Sequence, residues 1–164
     1  MKTNRRTAVV LAGALLAIVG TTLQLSAQEQ GGKNRHHYKL IDLGTLGGPQ
    51  SYVNIPPSSY APVLNNRGDI TGWADTSTSD PYPNFCFNGD CFTSHAFQLH
   101  DSEMTDLGVL PSGASSASTW ISPNGLVAGL SQNGQIDPLV TGLPEIRAVL
   151  WREGGITDLG TLDG

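Results

Sequence analysis

Three copies of one short phrase constrain this chain more than anything else in it. They read Leu40-Ile41-Asp42-Leu43-Gly44-Thr45-Leu46, Met104-Thr105-Asp106-Leu107-Gly108-Val109-Leu110 and Ile156-Thr157-Asp158-Leu159-Gly160-Thr161-Leu162. The match extends upstream. His95-Ala96-Phe97-Gln98-Leu99 precedes the second copy and Arg147-Ala148-Val149-Leu150-Trp151 the third, and His95 to Asp106 and Arg147 to Asp158 are both 11 positions. It also extends downstream, where Val63-Leu64-Asn65-Asn66-Arg67-Gly68-Asp69-Ile70-Thr71-Gly72 aligns with Trp120-Ile121-Ser122-Pro123-Asn124-Gly125-Leu126-Val127-Ala128-Gly129. Gly68/Gly72 and Gly125/Gly129 fall in one register. A chain built this way repeats one supersecondary unit that cannot bury its faces alone.

The repeated residues resemble the HAF repeat family of predicted extracellular proteins, named for a His-Ala-Phe triplet, here His95-Ala96-Phe97. The resemblance covers Tyr38 to Gly164, with Arg147-Ala148-Val149 departing from the triplet in the third copy. It implies an exported, propeller-like β-repeat protein of unknown activity.

The pattern itself predicts an all-β chain of repeated four-stranded antiparallel units resembling β-propeller blades in an incomplete ring. Residues 38–46 read as a lone strand and residues 47–59 as a loop. Unit one spans 61–110, with strands at Ala61–Leu64, Asp69–Trp73, Ser94–His100 and Glu103–Leu107. Unit two spans 117–162, with strands at Ala117–Ile121, Leu126–Ser131, Ala148–Arg152 and Ile156–Leu159. Asn65 to Gly68 and Ser122 to Gly125 read as type I turns closed by a glycine bulge. Arg152-Glu153-Gly154-Gly155 turns the last hairpin. Asp75–Pro83 and Gln132–Pro144 read as polar excursions from the repeat. Two units and a strand fall short of the four to eight blades of a typical ring, so the chain is expected to be a fragment or, if it truly ends at Gly164, to self-associate.

The first 27 residues read as a secretory signal peptide: a basic start at Lys2, Arg5 and Arg6, an apolar run from Ala8 to Val19, and small residues ending at Ala27. The apolar run is shorter than the roughly 20 residues that span a bilayer, so no transmembrane span is expected after cleavage. Residues 28–37 read as a mobile segment in which His36-His37 lacks further metal ligands. The expected location is outside the cell, at its surface or in the periplasm.

The 164-residue chain carries 9 Lys+Arg against 14 Asp+Glu; without the leader's three basic residues the count is six against 14, a net charge of −8. That balance repels phosphate backbones and excludes nucleic acid as a partner. The expected partner is an extracellular ligand, a carbohydrate or a protein.

Phe85-Cys86-Phe87-Asn88-Gly89-Asp90-Cys91-Phe92 predicts a two-residue hairpin at Asn88-Gly89, with Phe87 facing Asp90 and Cys86 facing Cys91. Non-hydrogen-bonded pairs bring side chains close, so a Cys86–Cys91 disulfide fits there. An oxidising compartment permits it, and closing so short a loop contributes on the order of 2 kcal/mol.

No catalytic constellation, cofactor motif or metal-ligand set stands out. Asp75 and Asp80 could hold calcium, but their spacing matches no calcium loop. His95 and Arg147 point to a hydrogen-bond donor wanted at a strand start. Asp42, Asp106 and Asp158 recur in equivalent places. A repeated carboxylate more often bonds a turn's backbone N–H than supplies catalysis, which needs two different environments. Trp120 and Trp151 read as packing residues, and Trp73 is the tentative ligand contact. The expected function is therefore a non-enzymatic binding or cell-surface interaction module. The alternatives are a fragment of a propeller-type polysaccharide-active enzyme and a structural or adhesive segment.

Overall fold

The computed structural model describes residues 37–53 and 61–162. The expected signal peptide, His36 and the segment 54–60 lie outside the described residues. Among the described residues there is no helix, and hence none long and apolar enough to cross a membrane.

Eight strands form two four-stranded antiparallel sheets. The first sheet runs β1 (Gly47–Tyr52), β2 (Ile70–Ser79), β3 (Phe92–His100), β4 (Glu103–Gly108), each beside the next. The second runs β5 (Ser116–Ile121), β6 (Val127–Ile136), β7 (Pro144–Arg152), β8 (Gly155–Asp158) in the same order.

The turns follow their residues. Gly68 N–H donates to Asn65 C=O (3.1 Å) and Gly125 N–H to Ser122 C=O (3.0 Å), and both glycines sit at φ +84. The side chains of Asn65 and Ser122 also play one part: Asn65 Oδ1 accepts from Asp69 N–H and Ser122 Oγ from Leu126 N–H. Two-residue hairpins join β3 to β4 at Asp101-Ser102 and β7 to β8 at Glu153-Gly154, all four residues at positive φ, as the twist of paired strands favours.

Each sheet has its own apolar layer, and six positions correspond: Leu43 and Leu107, Leu46 and Leu110, Ile70 and Val127, Phe97 and Val149, Leu99 and Trp151, Met104 and Ile156. Leu43, Leu46, Val53, Ile70, Ala74, Phe97, Leu99 and Met104 pack on the first sheet. Leu107, Leu110, Ile121, Val127, Val149, Trp151 and Ile156 pack on the second, together with Ala96 from the reverse side of the first. The Leu-x-x-Leu of each repeated phrase thus seeds the layer of the sheet that follows it.

The sheets meet through β5 and the residue before it, where Ser115, Ser116 and Ser118 are fully buried against the reverse side of β2 and β3. Ser115 Oγ accepts from Ser94 N–H (3.2 Å) and Ser116 Oγ from Ala96 N–H (2.9 Å), while Ser118 Oγ donates to Gly72 C=O. Serine suits this seam because it is small enough for close backbone approach and satisfies the buried N–H groups it covers.

Four expectations are corrected. Residues 38–46 form no strand apart from an isolated Leu46–Thr76 bridge, and Tyr38 and Leu40 are almost fully exposed. The later copies of the phrase form strands because β3 and β7 precede them as hairpin partners; no described strand precedes Tyr38. The first strand of the first sheet is instead Gly47–Tyr52, inside the expected loop, and Ala61–Leu64 is reduced to a Leu64–Ile70 bridge. The two polar excursions are partly strand, since β2 runs to Ser79 and β6 to Ile136. Finally, Asn88-Gly89 makes no two-residue hairpin: Cys91 N–H donates to Asn88 C=O, so Gly89-Asp90 occupies the centre of the turn.

Candidate functional site

The disulfide forms without the hairpin. Cys86 and Cys91 are bonded with their Cα atoms 5.0 Å apart. Asp80 decides the local path, because its carboxylate accepts from Tyr82 N–H (2.8 Å) and Phe87 N–H (2.9 Å). Asn88 is drawn onto the sheet, where its amide reaches Asp75 (3.2 Å) and Ser94 and its carbonyl accepts from the Trp73 indole (3.2 Å). Asp75 is fully buried and also accepts from Gln50 N–H (3.0 Å). Burial, with Asp90 beside it, pushes its pKa above the usual carboxylate value. Asp75 and Asp80 thus hold backbone and side-chain donors, and among the described residues no group of three His, Cys, Asp or Glu side chains is placed to hold a metal.

Asp42, Asp106 and Asp158 repeat one geometry. Each Oδ1 accepts the N–H two residues ahead, at Gly44 (3.0 Å), Gly108 (2.7 Å) and Gly160 (2.8 Å). The three glycines lie at φ +78, +72 and +74. A short acidic side chain bonding forward in this way stabilises a turn that glycine alone enters freely. The other oxygen of Asp106 lies 2.8 Å from His95 Nδ1. Burial raises the Asp106 pKa, but His95 and the Gly108 N–H outweigh it and the net shift is downward. Arg147, in the place of His95, pairs with Glu145 (2.7 Å) instead.

Gly72 and Gly129 have a second shared reason. A Cβ at Gly72 would stand 2.0 Å from Tyr52 O, and one at Gly129 2.1 Å from Ala117 O. The first strand of each sheet approaches too closely for any side chain. Trp73 is half-buried and stacks on Tyr52 with ring centroids 5.5 Å apart.

A second concave feature lies elsewhere. A cleft of about 390 Å³ opens between the two sheets, lined among others by Arg67, Gln98, His100, Asp106, Trp151 and Arg152. Of the residues singled out in sequence, Asp106 and Gly125 line it, whereas Trp73, His95 and the disulfide do not. Behind it stands a network that sequence reasoning missed. Asp69 is fully buried at the entry to β2. Its Oδ2 accepts from Asn65 Nδ2 (2.7 Å) and from Arg67 Nε (3.0 Å) and Nη2 (2.6 Å), and its Oδ1 from His100 Nδ1 (2.5 Å). Burial by itself would raise the Asp69 pKa, but the bonds from Asn65, His100 and Arg67 and the Arg67 charge bring it down to about 2. The bond to Asp69, with the nearby Asp101 charge, raises the His100 pKa in turn. The repeat alignment held the signal, since Asp69 stands where the second copy has the apolar Leu126.

Trp151 adds one more feature. It lines the cleft, is 3% exposed, and its indole N–H makes no hydrogen bond among the described residues.

Fold and site together define an all-β repeat protein of two stacked antiparallel sheets with a polar cleft between them. No protein-family model, curated protein or solved structure matches the chain.

Proposed function

We propose that the chain is an exported, non-enzymatic β-repeat protein, propeller-like in the stacking of its sheets, that binds carbohydrate in the cleft between them. The observation that carries this reading is the Trp151 indole N–H, a buried donor with no acceptor among the described residues, on a residue that lines the cleft. Leaving such a donor unmet costs about 1–3 kcal/mol, which an acceptor on a ligand would relieve. Around it Arg67, Gln98 and Arg152 donate, while Asp106 and Glu153 accept. Sugar hydroxyls do both, so a mixed lining of this kind suits them. The three equivalent aspartate turns favour a structural role for Asp106 over a catalytic one. The disulfide supports export, because such bonds persist in oxidising compartments.

A glycan array probed with the labelled full chain tests this reading. We expect a defined class of glycan to bind, with affinity reduced roughly tenfold or more in Gln98→Ala and Arg152→Ala and unchanged in Trp73→Ala. No binding, or binding lost only in Trp73→Ala, would reject the cleft. The amino-terminal sequence of chain recovered outside the cell should begin at Gln28.

A further inference from the structure

The two sheets carry the same face, but only one is covered. On the reverse side of the first sheet stand Thr71, Trp73, Ala96 and Gln98, and the second sheet packs over them, leaving Thr71 and Ala96 with no exposure. By strand register their counterparts are Ala128, Leu130, Ala148 and Leu150, with Leu130 paired to Ala148 as Trp73 is to Ala96. Here Leu130 is 40% exposed, Ala148 is exposed and Leu150 is half-buried. The open face is thus more apolar than the covered one.

At the other end of the stack the opposite face buries Ala74, Phe97 and Leu99 but is covered less completely by the described residues. In the second sheet the apolar layer is sealed against the first, and Leu110 is 6% and Val127 1% exposed. Their counterparts Leu46 and Ile70, with Leu43, Val53 and Met104 beside them, are only half-buried. One chain therefore presents both halves of an interface that it already makes once internally.

We propose that the open face of the second sheet is the docking site for the outer apolar face of the first sheet of a second copy of this chain. The contact is head to tail, continues the internal stack, and is heterologous, so successive copies build a ring or a filament. The internal seam indicates the fit. There the apolar layer of one sheet, led by a Leu-x-x-Leu, lies against the reverse side of another. The incoming copy brings Leu43 and Leu46 to the seat that Leu107 and Leu110 fill inside the chain. Leu159 and Leu162 head for that same seat and are 55% and 99% exposed, so on docking they must swing aside beyond Gly160.

Sedimentation velocity of the purified full chain over a wide concentration range tests the proposal. We expect reversible assembly that the double variant Leu130→Arg/Ala148→Arg weakens roughly tenfold or more, with its unfolding curve unchanged because both side chains are exposed in the monomer. Leu162→Ser should assemble at least as well as the parent. A mixing experiment then fixes the geometry. A copy blocked on its second sheet still offers its first, so a small amount added to the parent should cap and shorten the assemblies. A chain that stays monomeric at every concentration would overturn the proposal. Assembly indifferent to the double variant, or blocked copies excluded from parental assemblies, would overturn it equally.

Discussion

The two sheets share a backbone plan and differ in what braces it. Where β2 begins, the first sheet holds Asn65, Arg67, Asp69 and His100 in one charge-assisted network around the buried Asp69 carboxylate. At the same places the second sheet has Ser122, Asn124, Leu126 and Arg152, and its turn closes on Ser122 alone. The hairpin between the middle strands differs as well. The first sheet ties it with a disulfide and folds it back over Trp73, Asp75 and Ser94. In the second, the Asp137 carboxylate closes it by accepting from the Leu139 and Val140 N–H groups. Added bracing falls in the sheet where Ala61–Leu64 makes only the Leu64–Ile70 bridge. A sheet with a whole β5 and serines along the seam keeps its shape through the ladder itself. The comparison shows how a repeat tolerates different chemistry wherever the backbone hydrogen bonds are met in another way.

Removing Asp69 should break the asymmetry most. Asp69→Ala removes a fully buried carboxylate that accepts from Asn65, Arg67 and His100, and should cost about 2–3 kcal/mol in denaturant unfolding. Leu126→Ala, at the equivalent half-buried site, should cost about 1 kcal/mol or less. Equal losses would mean that the network braces nothing. The pH dependence has a defined sign. The depressed Asp69 pKa means that its contribution is fully present above the unfolded value of about 3.9 and fades as pH falls toward about 2. The raised His100 pKa means that its share is complete below about 6.5 and is lost as pH climbs through the folded value. Asp69→Ala should flatten both limbs of the stability profile.

Glycine substitution sharpens the opposite side of the comparison, where the sheets should agree. Gly72→Ala and Gly129→Ala each force a methyl against a carbonyl oxygen 2.0–2.1 Å away, so each should cost about 2–3 kcal/mol by thermal unfolding. A large difference between them would show that the first strands do not approach equivalently.

Opening the disulfide with Cys86→Ser/Cys91→Ser should cost on the order of 2 kcal/mol. Mass spectrometry under non-reducing conditions checks the bond, and calorimetry checks the loss. The smallest effects belong to the repeated phrase. Asp158→Ala should lose the single turn bond, worth about 1 kcal/mol. Asp106→Ala should lose somewhat more, because His95 also depends on it. Paired melting curves order the two, and a reversed order would remove His95 from the account.

Much of this organisation was legible in the chain. The spacing of the repeated phrase located β3, β4, β7 and β8, because period and partner lay close in sequence. The glycines at 68 and 125 marked turns, because few other residues enter that backbone region freely. The candidate site was far less legible. Asp69, Arg67 and His100 sit on different elements, and nothing in their spacing announces that one carboxylate binds them all. Asn88-Gly89 misled because its hairpin preference is local and weak. Asp80, Asp75 and the Trp73 indole together offered the loop better hydrogen bonds elsewhere. Likewise Tyr38–Leu46 reads like its sister segments, but a strand needs an edge to pair with, and an isolated sequence does not say whether one is there.

By itself, then, the sequence determined the class of fold, the unit of repetition, the cysteine pair and the turns, all of which rest on short-range sterics and on periodicity. Tertiary structure decided the rest: which segment completes the first sheet, which carboxylate is buried, and which of two equivalent faces is left open. These depend on the edges, cavities and partners that other parts of the chain supply, and the free energy of a hydrogen bond or an apolar contact is settled only when its surroundings are in place.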